Sequence, residues 1–394
     1  MAKVFIGGAG HKLYLGGSKI KKAYLGSQRV YSAGNVVTYK VDSSVTYQEE
    51  VDSDASCLSP KTFTPTKTGW IFVGWREDSA ASGTVLSSKT MGDEPVTLYA
   101  VFKQNLTVKL YSGTTPTSIP KTRYYNNGNI LNPTCQFTQP ALTGWTARGW
   151  TASSAAANAG VDYLNGAAFT IATSVTLYGL YYHTVTLSAV ANGTTKSYTG
   201  TRYYSTSNTI VNPVFKVANA SKSGAAFLGW SKNGTTTVWE ASLVNGVQLV
   251  GNQKIYAVFK YNDATINLTN VSGSGHVDMW TKTLSAAINM AIYKSLTATV
   301  KSASSYVNFR GSYWDIYLEC GGDSKKYMSP SVDWGNPATS HPASNSGTTT
   351  WNFTAVSGTT YLTSRAVDSG QDATGGGSIT WTNPATLTGR TVVG

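Results

Sequence analysis

Apolar and polar residues alternate in short runs along most of the chain. Val37-Thr38-Tyr39-Lys40-Val41 and Val185-Thr186-Leu187-Ser188-Ala189 carry the period of two that buries one face of a strand and wets the other. In the last third, Tyr313 to Cys320 sets Trp314, Ile316, Leu318 and Cys320 on one face and Tyr313, Asp315, Tyr317 and Glu319 on the other. Further short strands are predicted near 306–310, 350–353, 360–365 and 378–382, between turns rich in Gly, Ser and Asn. The pairs Asn192-Gly193 and Asn233-Gly234 predict hairpin turns. A helical spacing occurs at 283–295, through Ala286, Ile288, Ala291 and Ile292, and predicts one helix. The fold class is therefore mainly β.

The alternation recurs in register. Gly69-Trp70-Ile71-Phe72-Val73-Gly74-Trp75 matches Gly144-Trp145-Thr146-Ala147-Arg148-Gly149-Trp150 and Gly224-Ala225-Ala226-Phe227-Leu228-Gly229-Trp230. Each is followed by a strand-like close holding Tyr99, Tyr178 or Tyr256, spaced 79 and 78 residues apart. Thr122-Arg123-Tyr124-Tyr125 returns as Thr201-Arg202-Tyr203-Tyr204, and Asn132-Pro133 as Asn212-Pro213. Three tandem modules follow, over 35–103, 104–182 and 183–261. Trp75, Trp150 and Trp230 keep one register while their surroundings drift, which predicts core anchors, with the three tyrosines as anchors of the closing strand.

The Gly-Trp stretch with its downstream Leu-Tyr-Ala-x-Phe strand resembles the Listeria–Bacteroides repeat, also called the internalin B-type repeat. Thr97 to Phe102 and Ile255 to Phe259 match the closing strand best. Copy two closes with Tyr178-Gly179-Leu180-Tyr181-Tyr182, and copy three lacks the first Trp. The resemblance implies a small β-grasp-like module, used as a spacer or adhesion unit outside cells, with no catalytic residue to carry over.

Composition narrows the class. Charged residues make up only 13% of the 394 residues, about half the share of an average soluble domain, whereas Tyr (24), Trp (11) and Gly (39) are abundant. That excludes a disordered chain and a coiled coil. The net charge of +12 invites a nucleic-acid reading, but residues 1–40 hold seven bases and no acid, and residues 262–394 hold eight of each. Acids and bases are also segregated among the modules: nine acids to five bases over 41–103, then two to eleven over 104–261.

The basic end has a pattern of its own. Val4-Phe5-Ile6-Gly7-Gly8, Leu13-Tyr14-Leu15-Gly16-Gly17 and Ala23-Tyr24-Leu25-Gly26-Ser27 repeat every nine or ten residues. Strands this short cannot bury both faces alone, so residues 1–34 are expected to lean on a partner. They resemble the N-terminal segments of structural proteins of phages of Gram-positive hosts, which dock distal parts onto the tail or capsid. The docking contacts then fall to Tyr14, Leu15, Lys19, Lys21, Lys22, Tyr24, Leu25, Arg29 and Tyr31. The apolar run Val4-Phe5-Ile6 is too short for a signal-peptide core, and residues 387–394 hold no sorting motif. The expectation drawn from this is a protein displayed on a virion surface, outside the cell after host lysis, rather than an exported one.

Residues 262–394 fit no repeat and predict a β-sandwich or jelly-roll-like tip. Asp315 and Glu319, four residues apart on one strand, would stand about 13 Å from each other, too far for paired glycosidase carboxylates. No Gly-x-Ser-x-Gly elbow is present. Binding fits better: Trp280, Trp314, Trp334, Trp351 and Trp381 supply aromatic area for a sugar ring, and Trp334 with Asp333 and Asn336 is the leading candidate. Three distant cysteines (Cys57, Cys135, Cys320) and four scattered histidines give no metal-ligand spacing, and no cofactor is expected. The reading is a non-enzymatic phage structural protein in the tail, baseplate or capsid, a homo-oligomer such as a trimer. It would contact other virion proteins and a host-surface glycan or protein, with no nucleic acid and no membrane insertion. The alternatives are a Gram-positive surface adhesin and a glycan depolymerase.

Overall fold

The computed structural model describes residues 13–15, 17–20, 22–32, 34–276, 280–307, 314–328, 343–368 and 374–394. These form strands and turns, and the chain is all-β, with no helix among the described residues. They pack into two compact units, residues 1–183 with 201–212, and residues 184–200 with 213–394.

In the first unit, β1 (Gly34–Lys40) and β2 (Thr46–Asp52) form an antiparallel hairpin. β1 is buried at every second residue, including Val37 and Tyr39, as its alternation demands. An irregular segment leads to β3 (Ile71–Arg76), and β4 (Val96–Tyr111) closes the module. β4 runs parallel to β1, with Val37 opposite Val96, and antiparallel to β3. Parallel first and last strands joined through a crossover are the β-grasp-like order, built here without a helix.

β4 continues past the module it closes. Its second half opens the next module, and β5 (Thr117–Asn126) folds back along it from Leu110 opposite Thr117 to Val101 opposite Asn126. β6 (Thr146–Thr151) and β7 (Val175–Ala191) then repeat the arrangement, Val175 lying parallel to Val108. β7 runs on to open the third module, turns through Asn192 (φ 51°) and Gly193 (φ 75°), and leads to β8 (Thr194–Ser205), β9 (Ala225–Ser231) and β10 (Gln253–Tyr261). β10 lies parallel to β7, with Leu187 opposite Gln253. One strand thus serves two modules at residues 103/104 and again at 182/183.

The recurrent Gly-Trp has a backbone cause. Opposite the closing strand, the register slips by one residue between Phe72 and Gly74, between Ala147 and Gly149, and between Phe227 and Gly229. This bulge puts residues three apart on one face: Phe72 meets Trp75 at 5.2 Å and Phe227 meets Trp230 at 5.5 Å, both edge-on. The glycines adopt φ of 158°, 138° and 145°, and a Cβ on Gly149 or Gly229 would stand 2.5 Å from a backbone oxygen. Each module has its own core. Trp75 lies with Leu98 and Phe102, Trp150 with Leu177 and Val108, and Trp230 with Ile255 and Phe259. Cys57, Cys135 and Cys320 are buried free thiols.

The second unit adds a sandwich to the third module. β11 (Ala264–Ile266) and β12 (Val271–His276) are followed by β13 (Trp280–Thr283), β14 (Tyr293–Val307), β15 (Trp314–Cys320), β16 (Asp323–Met328), β17 (Ala343–Asn352), β18 (Thr363–Asp368) and β19 (Thr374–Gly389). One antiparallel sheet holds β11 and β12 against β19, then β14 and β17; the other runs β13-β18-β15-β16. Leu296, Val300, Ile316 and Leu318 meet between them with Trp280, Trp351 and Trp381. The helix predicted at 283–295 is not formed. Leu284 and Ile288 enter the sandwich core, Ile288–Asn289 is a strand, and β14 begins at Tyr293, since burial in a two-layer β core overrides a weak helical spacing rich in Ser and Thr. Asn233-Gly234 lies in a bend after β9 instead of joining two strands, whereas Asn127-Gly128 (φ 46° and 91°) turns β5 into Asn129–Leu131.

The chain then returns to the module it left. β20 (Thr391–Val393) pairs with β10, Lys260 opposite Thr391 and Val258 opposite Val393. The same register continues through Ala264 opposite Leu387 and Ile266 opposite Ala385. β10–β11 and β19–β20 therefore reproduce the ladder that β4 makes with β5, with the rest of the sandwich inserted between.

Candidate binding surfaces

The recurrent tryptophans of the modules are interior. Trp75, Trp150 and Trp230 are 2%, 0% and 2% exposed, and the first two donate their indole N–H to the carbonyls of Leu58 and Phe137 at 3.1 Å. Tyr99, Tyr178 and Tyr256 are half-buried on the opposite face of the closing strands, where Leu98, Leu177 and Ile255 point into the cores. Lys40 Nζ sits 5.7 Å over Tyr99, Tyr178 stacks on Tyr111 at 4.8 Å, and Lys254 Nζ sits 5.3 Å over Tyr256.

The other tryptophan of the motif marks a joint. Arg123 lies 4.6 Å over Trp70, which also meets Tyr125 at 5.7 Å. Arg202 lies 5.3 Å over Trp145, which meets Tyr204 at 5.6 Å. The Thr-Arg-Tyr-Tyr strand entering each new module is thus clasped by the Trp of the module before it. Sequence spacing displayed both halves of this pair, but only the fold brings them together.

On the sandwich, a cleft of about 440 Å³ opens beside the Gly321-Gly322 turn between β15 and β16, lined by Glu319, Asp323, Ser324, Thr359, Tyr361 and Thr363. Glu319 accepts a hydrogen bond from Ser324 Oγ at 3.2 Å and faces Arg365 Nε at 3.7 Å; Asp323 pairs with Lys325 at 3.3 Å. The Tyr361 ring is 46% exposed at the rim. At the floor, burial pushes the Cys320 thiol up to about 12, which keeps it protonated and chemically quiet. An exposed ring beside carboxylates and hydroxyls can stack on a sugar and hydrogen-bond its hydroxyls. Asp315 takes no part: it is 5% exposed and paired with Lys326 Nζ at 2.7 Å.

The outer face of the larger sheet presents rows of hydroxyls. Thr350, Thr297, Thr386 and Thr265 stand side by side across four strands, and Ser344, Ser304, Ser378 and Ser272 form a second such row. Neighbouring hydroxyls bond to each other, Thr297 to Thr350 at 2.9 Å and Ser304 to Ser378 at 3.0 Å.

Trp334, Asp333, Asn336 and Lys21 lie outside the described residues. Trp280, Trp351 and Trp381, expected as sugar-facing surface, are 5%, 0% and 4% exposed core residues, because alternation points them at the facing sheet. The remaining docking candidates lie on two short hairpins: Tyr14–Leu15 with Ser18–Lys19 carries Tyr14, Leu15 and Lys19, and Lys22–Leu25 with Gln28–Ser32 carries Lys22, Tyr24, Leu25, Arg29 and Tyr31. Leu15, Tyr24 and Leu25 are 48%, 56% and 75% exposed, and Lys22 pairs with Asp54 of the first module. Sequence reasoning passed over Tyr361; its signal was an aromatic between Thr360 and Leu362 in a predicted strand. Among the described residues, no group of three or more His, Cys, Asp or Glu could hold a metal ion.

Residues 36–101 and 183–258 match the family model of the Listeria-Bacteroides repeat domain. Two such repeat domains are present. They are of the extracellular surface-protein type. The middle module lies outside the matched residues, yet its β4–β7 parallel pair and bulged β6 repeat the arrangement of its neighbours. No curated protein matches the chain. A solved structure of the infectious bursal disease virus Gx strain is similar at 11% identity, over 56% of this chain and 71% of that one, with a TM-score of 0.17.

Proposed function

We propose that this chain is a non-enzymatic structural protein of a phage particle, in which the N-terminal hairpins dock, the repeat modules space, and the sandwich meets a host-surface glycan. The observation that carries the reading is the mounting of the sandwich: it hangs from the third repeat by two strands, in the register that otherwise leads to another repeat. Such an arrangement suits presentation of a domain grafted onto a repeat. The docking part is supported by the exposed Leu15, Tyr24 and Leu25 on a lysine-rich segment. The glycan part is supported by the Tyr361 cleft, whose carboxylates and hydroxyls suit a neutral or amino sugar.

A bacterial surface adhesin is the second reading, favoured by the two repeat-domain matches. Gold-labelled antibody against residues 262–394 separates the two: decoration of particles is expected, and decoration of uninfected cells alone would reject the phage reading. Purified protein should bind host wall polysaccharide without releasing reducing ends, and Tyr361→Ala should weaken that binding about tenfold, the loss of one stacking ring. Unchanged binding would remove the cleft from the proposal.

A further inference from the structure

The third module departs from the first two in what pairs beyond its closing strand, and there too its motif lacks the first Trp. In the first module, Arg123 stands opposite Gln104 and stacks on Trp70. One step beyond the β10–β20 pairs, the amide of Tyr261 donates to the carbonyl of Arg390 at 2.9 Å, so Arg390 holds the position of Arg123 on the third closing strand. The residue at the Trp70 position there is Ala225. Arg390 turns instead to four carbonyls of the sandwich, with Nε toward Met290 (2.5 Å) and Tyr293 (3.0 Å) and Nη2 toward Phe353 (2.7 Å) and Ala355 (2.6 Å). Val392 packs on the third core.

We infer that the edge of β10 is a binding site for an arginine-led β-strand, filled in this chain by its own residues 390–393. A sheet edge offers unpaired N–H and C=O groups to any strand of matching register, so affinity comes from the ladder and selectivity from the side chains. Here the selective elements are the carbonyl cradle for the guanidinium and the place on the Phe259 side taken by Val392. The strand is three residues long, and while it is in place the β10 edge is closed to a strand edge of a second copy of the chain.

The test uses the chain ending at Gly389 and a fluorescent peptide of residues 387–394. Saturable binding is expected, about tenfold or more weaker for the peptide carrying Arg390→Ala, together with self-association of the truncated chain beyond that of the full chain. Equal affinity for both peptides, or no binding by a truncated chain with native near-UV dichroism, overturns the inference. Should truncation unfold the unit, hydrogen exchange of full-length Arg390→Ala decides. Exchange of the Tyr261 amide should rise at least tenfold with the Trp230 strand unaffected, and an unchanged Tyr261 amide refutes the site.

Discussion

Alanine at the three bulge glycines should destabilise the protein in an order set by what each new Cβ meets. At Gly149 the methyl would stand 2.5 Å from the Tyr163 carbonyl oxygen and 2.6 Å from Val161 Cγ1, with φ at 138°. At Gly229 it would stand 2.5 Å from the Glu240 oxygen and 2.6 Å from Val238 Cγ1, with φ at 145°. Backbone strain at such a φ costs about 1–3 kcal/mol. Overpacking against a carbonyl fixed by its own ladder adds about 1–3 kcal/mol. The sum, about 2–6 kcal/mol, lies at the upper end of single-residue effects. At Gly74 the new methyl would stand 3.0 Å from Val85 Cβ and Cγ2, a looser approach than the 2.5 Å to a carbonyl oxygen at the other two, so Gly74→Ala should cost the least of the three, about 1–3 kcal/mol, mainly from strain. Gly92, with nothing within 4 Å, is the control, and its alanine should be neutral or stabilising by about 0.4–1 kcal/mol. Urea unfolding followed by tryptophan fluorescence reads this as a midpoint for the transition each substitution moves, since two compact units need not unfold together. Midpoints for Gly149→Ala and Gly229→Ala indistinguishable from Gly92→Ala would refute the bulge as the reason for the glycine.

Trp150→Ala should cost about 3–5 kcal/mol and Tyr178→Ala only about 0.5–1.5 kcal/mol, because one fills a core and the other stacks at a half-exposed joint; comparable chemical-denaturation losses would contradict the assignment. Arg123→Ala should cost about 0.5–2 kcal/mol, and Arg123→Lys should recover only part of it, since the planar guanidinium over Trp70 is lost. The Gly389 amide holds the Asp263 carboxyl below the usual carboxylate range. A depressed folded pKa stabilises above about pH 4 and loses its effect as pH falls through the folded value, so Asp263→Asn should flatten the acid limb of thermal stability in the second unit without changing its slope above neutrality. Burial raises the pKa of all three thiols, so none should react with a thiol reagent at pH 8 until the chain unfolds; rapid labelling of the native protein would disprove their placement.

Alternation and repetition were enough to indicate a mainly β chain, a motif recurring in three registers and the burial of Trp75, Trp150 and Trp230. The period of two survives in β1 and β7 because one face is buried throughout, in the first core for β1 and in the second and then the third core for β7. Tertiary structure decided what depends on partners distant in the chain. It sent the sandwich tryptophans inward and Asp315 under Lys326, and replaced the 283–295 helix with strand, because a facing sheet supplied the burial. It placed Tyr361 at a cleft whose walls come from residues about 40 positions apart. Above all it returned residues 391–393 to β10, a pairing separated by more than 130 positions that no local pattern encodes, since a ladder specifies register between strands and not which strand will arrive to fill it.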